Sequence, residues 1–175
     1  MIKHLYIATL LLLLTACSTL QQSVPIQDGS KCKPWYNFNG QLSILESTHR
    51  WQVLIHWQAN LESGSARLTH AATGRIIELQ WQGKQIQMRD NQTATTRWQP
   101  IQADTLMQYG IVLPPQSIAM ILHHQIPPSL KAKGNDIWQG KLHGNSIRIR
   151  WQNNCHKLTM TDITHGRTAI LRIFP

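Results

Sequence analysis

The chain has 175 residues, with 17 Lys and Arg against 8 Asp and Glu, a formal net charge of +9 and a pI near 10.0. That length is one domain's worth and can bury a real core. The basic surface suits anionic phospholipid or an acidic partner, or serves solubility alone, while the few scattered carboxylates leave no pair for acid and base catalysis.

Lys3 and His4 precede an almost wholly apolar run from Leu5 to Leu14, and the small residues Thr15 and Ala16 follow. This is the pattern of an export signal. The run is too short for a spanning helix, which needs roughly 20 apolar residues. Leu14-Thr15-Ala16-Cys17 is similar to a bacterial lipobox, which implies removal of residues 1–16 and lipidation of Cys17 by a diacylglyceryl thioether and an N-terminal fatty acid. Taking 16 from 175 leaves 159 residues, and the loss of Lys3 lowers the charge from +9 to +8. Ser18 stands where an acidic residue would retain such a lipoprotein at the inner membrane, so the likeness implies a lipid-anchored protein of the outer membrane facing the periplasm. Nucleic acid is not expected as a partner of an exported chain.

With Cys17 lipidated, Cys32 and Cys155 remain as an even pair in an oxidising compartment, a candidate disulfide. Closing more than a hundred residues would stabilise the fold by roughly 4–5 kcal/mol in the entropy model. Zinc held by these cysteines and His156 is the alternative, though no Cys-x-x-Cys pair supports it. Residues 17–34 mix Gln, Ser, Pro, Asp and Gly without period and read as a tether to a domain of residues 35–175.

From Gly40 the pattern has period two. Leu42 and Ile44 alternate with polar residues, and Trp51, Val53, Ile55 and Trp57 line one face of a second strand. Asn60 to Ser65 read as a turn, Ala66, Leu68 and His70 as a third strand, and Ala71 to Gly74 as its break. Ile77, Leu79 and Trp81 line a fourth strand, Gln82-Gly83-Lys84 a tight hairpin, and Ile86 and Met88 the inward face of a fifth before a turn at Asp90-Asn91. The period then changes. Asp104 can cap a helix carrying Leu106, Met107 and Tyr109 and stopped by Gly110; Pro114-Pro115 opens a second, with Ile118, Ile121 and Leu122, closed by Pro127-Pro128. Lys131 to Asn135 reads as a polar loop. Ile147, Ile149 and Trp151, then Leu158 and Met160, then Ala169, Leu171 and Ile173, return to strand.

Eight or nine strands, each apolar on one face, with two short helices between them, predict a mainly β fold: an antiparallel half-closed β-barrel with a short helical lid. The interior is an apolar hollow or an ordinary filled core. Candidates for its lining are Trp51, Val53, Ile55, Trp57, Ile77, Leu79, Trp81, Ile86, Met88, Ile147, Ile149 and Trp151, with Ile118, Ile121 and Leu122 as lid.

Three stretches carry a family resemblance: Leu68-Thr69-His70-Ala71-Ala72-Thr73-Gly74-Arg75-Ile76-Ile77-Glu78-Leu79, Met88-x-Asp90-Asn91, and Gly110-Ile111-Val112-Leu113-Pro114-Pro115-Gln116-Ser117-Ile118. With Leu158-x-Met160-Thr161-Asp162 they resemble the outer-membrane lipoprotein receptor LolB. The resemblance implies an incomplete barrel under a helical lid whose cavity accepts lipoprotein acyl chains from the periplasmic carrier LolA. It implies delivery to the inner leaflet of the outer membrane by a monomer that is not an enzyme and uses no cofactor. Family members carry an exposed leucine in the turn spanning His70 to Gly74, and Ala72 is the matching membrane-delivery position here. Ile121 stands where the family has tryptophan, and His124 lies near a family glycine. The alternative to a receptor is a lipid-anchored envelope module with a filled core, docking a protein complex through its basic face. The sequence shows no Gly-x-Ser-x-Gly or His-Glu-x-x-His motif. His123-His124 suits a helix end better than a metal, and Arg148 and Arg150 suit a solvated face or an acidic partner.

Overall fold

The computed structural model describes residues 24–25, 33–93, 97–108 and 111–175. The signal segment, Cys17, Cys32, Tyr109 and Gly110 lie outside these residues. A short β1 (Val24–Pro25) precedes β2 (Asn37–Leu45), β3 (Arg50–Ala59), β4 (Ser63–His70), β5 (Arg75–Gln82), β6 (Gln85–Asp90) and β7 (Gln99–Pro100). Helices α1 (Ala103–Gln108) and α2 (Pro115–Leu122) follow, then β8 (Gln125–Ile126), β9 (Leu130–Gly134), β10 (Ile137–Leu142), β11 (Asn145–Gln152), β12 (Lys157–Asp162) and β13 (Arg167–Ile173).

Eleven strands form one antiparallel sheet in the order β7-β6-β5-β4-β3-β2-β13-β12-β11-β10-β9, and β1 pairs with β8 apart from it. The mainly β architecture with two short helices is as the periodicity predicts. The sheet is open, with β7 and β9 as its edges. Its N- and C-terminal halves meet where β13 pairs with β2, from Thr168 opposite Leu45 to Ile173 opposite Gly40.

The period of two places the apolar side chains of both halves on one face. Ile44, Ile147, Ile149, Leu158, Ile121 and Leu122 are completely buried there and join one hydrophobic cluster. Each such aliphatic side chain contributes about 1.5–3 kcal/mol on burial. Pro115 starts α2 after Pro114 at φ −56°, ψ 148°, because a helix's first N–H has no intrahelical partner to lose.

Several elements differ from the sequence reading. Lys131 to Gly134 are strand, not loop, and β10 adds another that was not anticipated. An edge strand paired on one side can carry solvated lysines, so its alternation is weak. Gly140 of β10 hides its role as well, since a Cβ there would stand 2.0 Å from the Ser129 carbonyl oxygen. Strand β4 starts at Ser63, inside the expected turn, and Asp90 belongs to β6. Asp104 lies in the first turn of α1 rather than capping it, where a carboxylate still favours the helix dipole. Helix α2 stops at His123, whose N–H bonds the Ala119 and Met120 carbonyls, and at His124, with φ 58°. Pro127-Pro128 come only after β8. Ser43, read as outward, is buried.

Candidate functional site

One end of the sheet is sealed by α2. Gln116 Nε2 donates to the Gly83 carbonyl in the β5–β6 hairpin (3.0 Å), and His123 Nε2 donates to the Ala59 carbonyl at the end of β3 (3.3 Å). The His124 ring lies 5.8 Å from that of Trp151 on β11. The helix thus runs across the strand ends from one half of the sheet toward the other. Trp35 closes the same end, donating its backbone N–H to the Leu122 carbonyl (3.1 Å) and its indole N–H to the Cys155 carbonyl (3.1 Å). Burial lowers the pKa of His123, the Ala59 carbonyl opposes that shift, and neighbouring His124 adds to it.

Aromatic rings fill the apolar face above this seal. Phe38 stacks on Trp57 at 6.1 Å, and Trp57 lies 5.0 Å from Trp81. Gly64 makes room for that indole: a Cβ there would meet Trp81 Cζ2 at 2.4 Å and the Ala59 Cβ at 2.5 Å. The indole nitrogens of Trp57, Trp81 and Trp151 are buried and find no hydrogen-bond acceptor among the described residues. An orphaned buried donor costs about 1–3 kcal/mol.

Nine of the twelve expected lining residues are buried on this face: Val53, Ile55 and Trp57; Leu79, Trp81 and Ile86; Ile147, Ile149 and Trp151. Trp51, Ile77 and Met88 lie on it only half-buried and form an oblique border across β3, β5 and β6. Trp138 and Leu142 of β10 form a second half-buried border toward the other edge. Of the expected lid, Ile121 and Leu122 are fully buried and Ile118 half-buried. The apolar face therefore runs unbroken from a sealed end to margins that solvent reaches.

Beyond the Trp51–Ile77 border lies the β4–β5 turn, where Ala72 is exposed. His70 Nδ1 bonds Thr73 Oγ1 (2.9 Å), and Gly74 takes φ 66°. Arg75 then donates to Asp90 Oδ2 (2.6 Å) across β5–β6. Burial raises the pKa of Asp90, but the Arg75 hydrogen bond, the Gln92 N–H and the Arg75 charge outweigh it and hold the carboxyl below its ordinary range. The β12–β13 turn repeats the device: Gly166 has φ 65°, and buried Asp162 accepts from His165 Nδ1 (2.7 Å) and pairs with Arg167 (3.5 Å). These inward carboxylates were missed in the sequence. The recurring Gly-Arg pairs, Gly74-Arg75 and Gly166-Arg167, were the available signal.

Cys155 is disulfide-bonded, and Cys32 lies outside the described residues. Among the described residues no cluster of His, Cys, Asp or Glu is placed to hold a metal, and no helix is long and apolar enough to cross a membrane. Arg148 and Arg150 are exposed on the outer face, where Arg148 Nε donates to Gln139 Oε1 (3.1 Å).

The backbone superposes on the crystal structure of a LolA superfamily protein from Nitrosomonas europaea with a TM-score of 0.51, covering 83% of this chain and 88% of that one at 8% identity. The fold is LolA-like. No family model matches the chain, and no curated protein matches it in sequence. In this LolA-like fold the tryptophan-lined face, its α2 seal and its half-buried borders together make the candidate site.

Proposed function

We propose that the protein is an outer-membrane-anchored lipoprotein receptor. It accepts acyl chains from the periplasmic carrier LolA and delivers the lipoprotein to the inner leaflet of the outer membrane. The single observation that carries this reading is the apolar face, continuous from the α2 seal to the borders at Trp51, Ile77 and Met88. An acyl chain can slide along such a surface without meeting water, where each exposed methylene costs about 0.8 kcal/mol. The open sheet wraps as a half-closed barrel around the chain. No covalent step and no cofactor are needed, and direction comes from the difference in affinity between carrier, receptor and membrane. Ala72, exposed beyond the border, lies where the released chain would leave.

The alternative, an envelope interaction module with a filled core, draws support from the complete burial of Ile147, Ile149 and Leu158. The apolar margins that solvent reaches at Trp51, Ile77 and Met88 favour the receptor, because they give an acyl chain a way onto the face. The deciding experiment mixes a LolA-bound lipoprotein with a form beginning at Ser18 and follows the cargo by pull-down. Transfer to this protein supports the receptor. Cargo that stays on the carrier, under conditions where an established receptor takes it, rejects it.

A further inference from the structure

The outer face of strands β9 to β13 is a cationic sheet surface. Register places Lys131 of β9 beside Gln139 of β10 and Arg148 of β11, and exposed Lys133 follows at the irregularity where Ala132 faces Trp138 and Gly134 faces Ile137. Lys141 on β10 and Arg150 on β11 share the face. Lys157 of β12 sits opposite Arg172 of β13, which donates to Gln41 Oε1 (3.4 Å). From residue 130 onward the only acidic side chains are Asp136, in the β9–β10 turn, and Asp162, buried on the inner face. No salt bridge to a carboxylate engages these cations among the described residues. The outer face of the other half is mixed, since Glu78 lies between Arg67 and Arg89 and pairs with Arg89.

We propose that this face docks the protein on an anionic phospholipid surface. Charge complementarity identifies the partner class, and the absence of anchors seated in pockets chooses the membrane over an acidic protein. Protein interfaces depend on central aromatic, Met or Arg residues seated in pockets. Here Arg148, Arg150 and Arg172 stand exposed on an open sheet, Ile137 and Ile170 are half-buried, and the remaining strand positions of the face are Lys, Gln, Ser and Thr, with exposed Ile163 and Phe174 only beyond the ends of β12 and β13. Such a surface needs no pocket to bind phosphate headgroups, because each cation near an anionic leaflet adds its own attraction. It lies across the sheet from the apolar face, so this docking stands or falls separately from acyl transfer.

The test uses the form beginning at Ser18, which keeps every buried core residue from Phe38 to Ile173 together with Cys32 and Cys155. Sedimentation with vesicles of one part phosphatidylglycerol to two parts phosphatidylcholine is compared with phosphatidylcholine alone. Preference for the anionic vesicles is expected, weakening as salt rises. The triple variant Lys131→Glu, Arg148→Glu, Arg150→Glu should lose at least about tenfold in affinity. Arg50→Glu, Arg67→Glu, Lys84→Glu changes net charge by the same amount elsewhere and should stay within about threefold of the unaltered protein. Equal losses in both triples would reduce the effect to net charge and overturn the proposal. No preference for anionic vesicles would overturn it too, as would retention on polyglutamate without vesicle binding, which would hand the face to an acidic protein.

Discussion

Replacing Met88 with Glu tests the acyl site where the fold can best tolerate it. Met88 is half-buried on β6, opposite Leu79, so a carboxylate there can still reach water. Trp81 would be a poor choice, because its indole is buried against Trp57 and Gly64, and a charge there would destroy the packing. A fully buried Met contributes about 1.5–3 kcal/mol, so the half-buried one should cost the fold about 1 kcal/mol. For a domain of this size that lowers Tm by about 2–4 °C. A bound chain that loses apolar contact over two or three methylenes loses about 2 kcal/mol, or about 30-fold in affinity. Titration with an environment-sensitive apolar dye reads the affinity, and a circular-dichroism melt reads the fold. Met88→Leu, which keeps the apolar surface, should bind within about twofold of the unaltered protein. A folded Glu variant with unchanged dye affinity would show that acyl chains do not cross this border.

Other perturbations test the supporting structure. Gly64→Ala should destabilise by about 1–3 kcal/mol in chemical denaturation, because the new Cβ collides with Trp81, Ala59 and the Gln58 carbonyl; an unchanged midpoint would refute that packing. Asp90 has its pKa depressed from 3.8, so its stabilisation is present above that value and lost as pH falls through the lower folded pKa. Asp90→Asn should therefore cost about 1 kcal/mol at neutral pH, discounted for the exposure of Arg75, and make the acid limb of the stability profile shallower. A limb of unchanged slope would count against the ion pair. Reducing agent should lower Tm, since losing a disulfide costs about 2–5 kcal/mol; a melt indifferent to reductant would deny the Cys155 bond a stabilising role. Ala72→Leu should speed delivery of bound lipoprotein to vesicles if the turn makes the membrane contact, and an unchanged rate would remove the turn from that step.

Much of the site was legible because strand side chains alternate rigidly. Once Trp51, Val53, Ile55 and Trp57 are seen to alternate with polar residues, they must share a face, and the same holds for Leu79 with Trp81 and for Ile147, Ile149 and Trp151. Harder to read were the places where local pattern and environment part company. Strand β9 resembles a loop because its lysines are solvated at an edge. Asp90 and Asp162 resemble turn residues, yet each faces inward at the end of its strand and pairs with an arginine that opens the neighbouring one, Arg75 at the start of β5 before it and Arg167 at the start of β13 after it.

The end of α2 followed the same rule: the prolines beyond it are the strong breakers in the sequence, but the chain leaves helix earlier, at His123 and His124, whose rings bond to Ala59 and Lys33. Sequence by itself determined the faces of β3, β5 and β11, the apolar inventory and the opening of α2 at Pro115, since all three follow from local sterics and hydropathy. Tertiary structure decided the rest. The β2–β13 pairing that unites the halves, the open edges at β7 and β9 and the seal of α2 across the strand ends join residues far apart in the chain. Their free energy depends on partners that no local window of sequence contains.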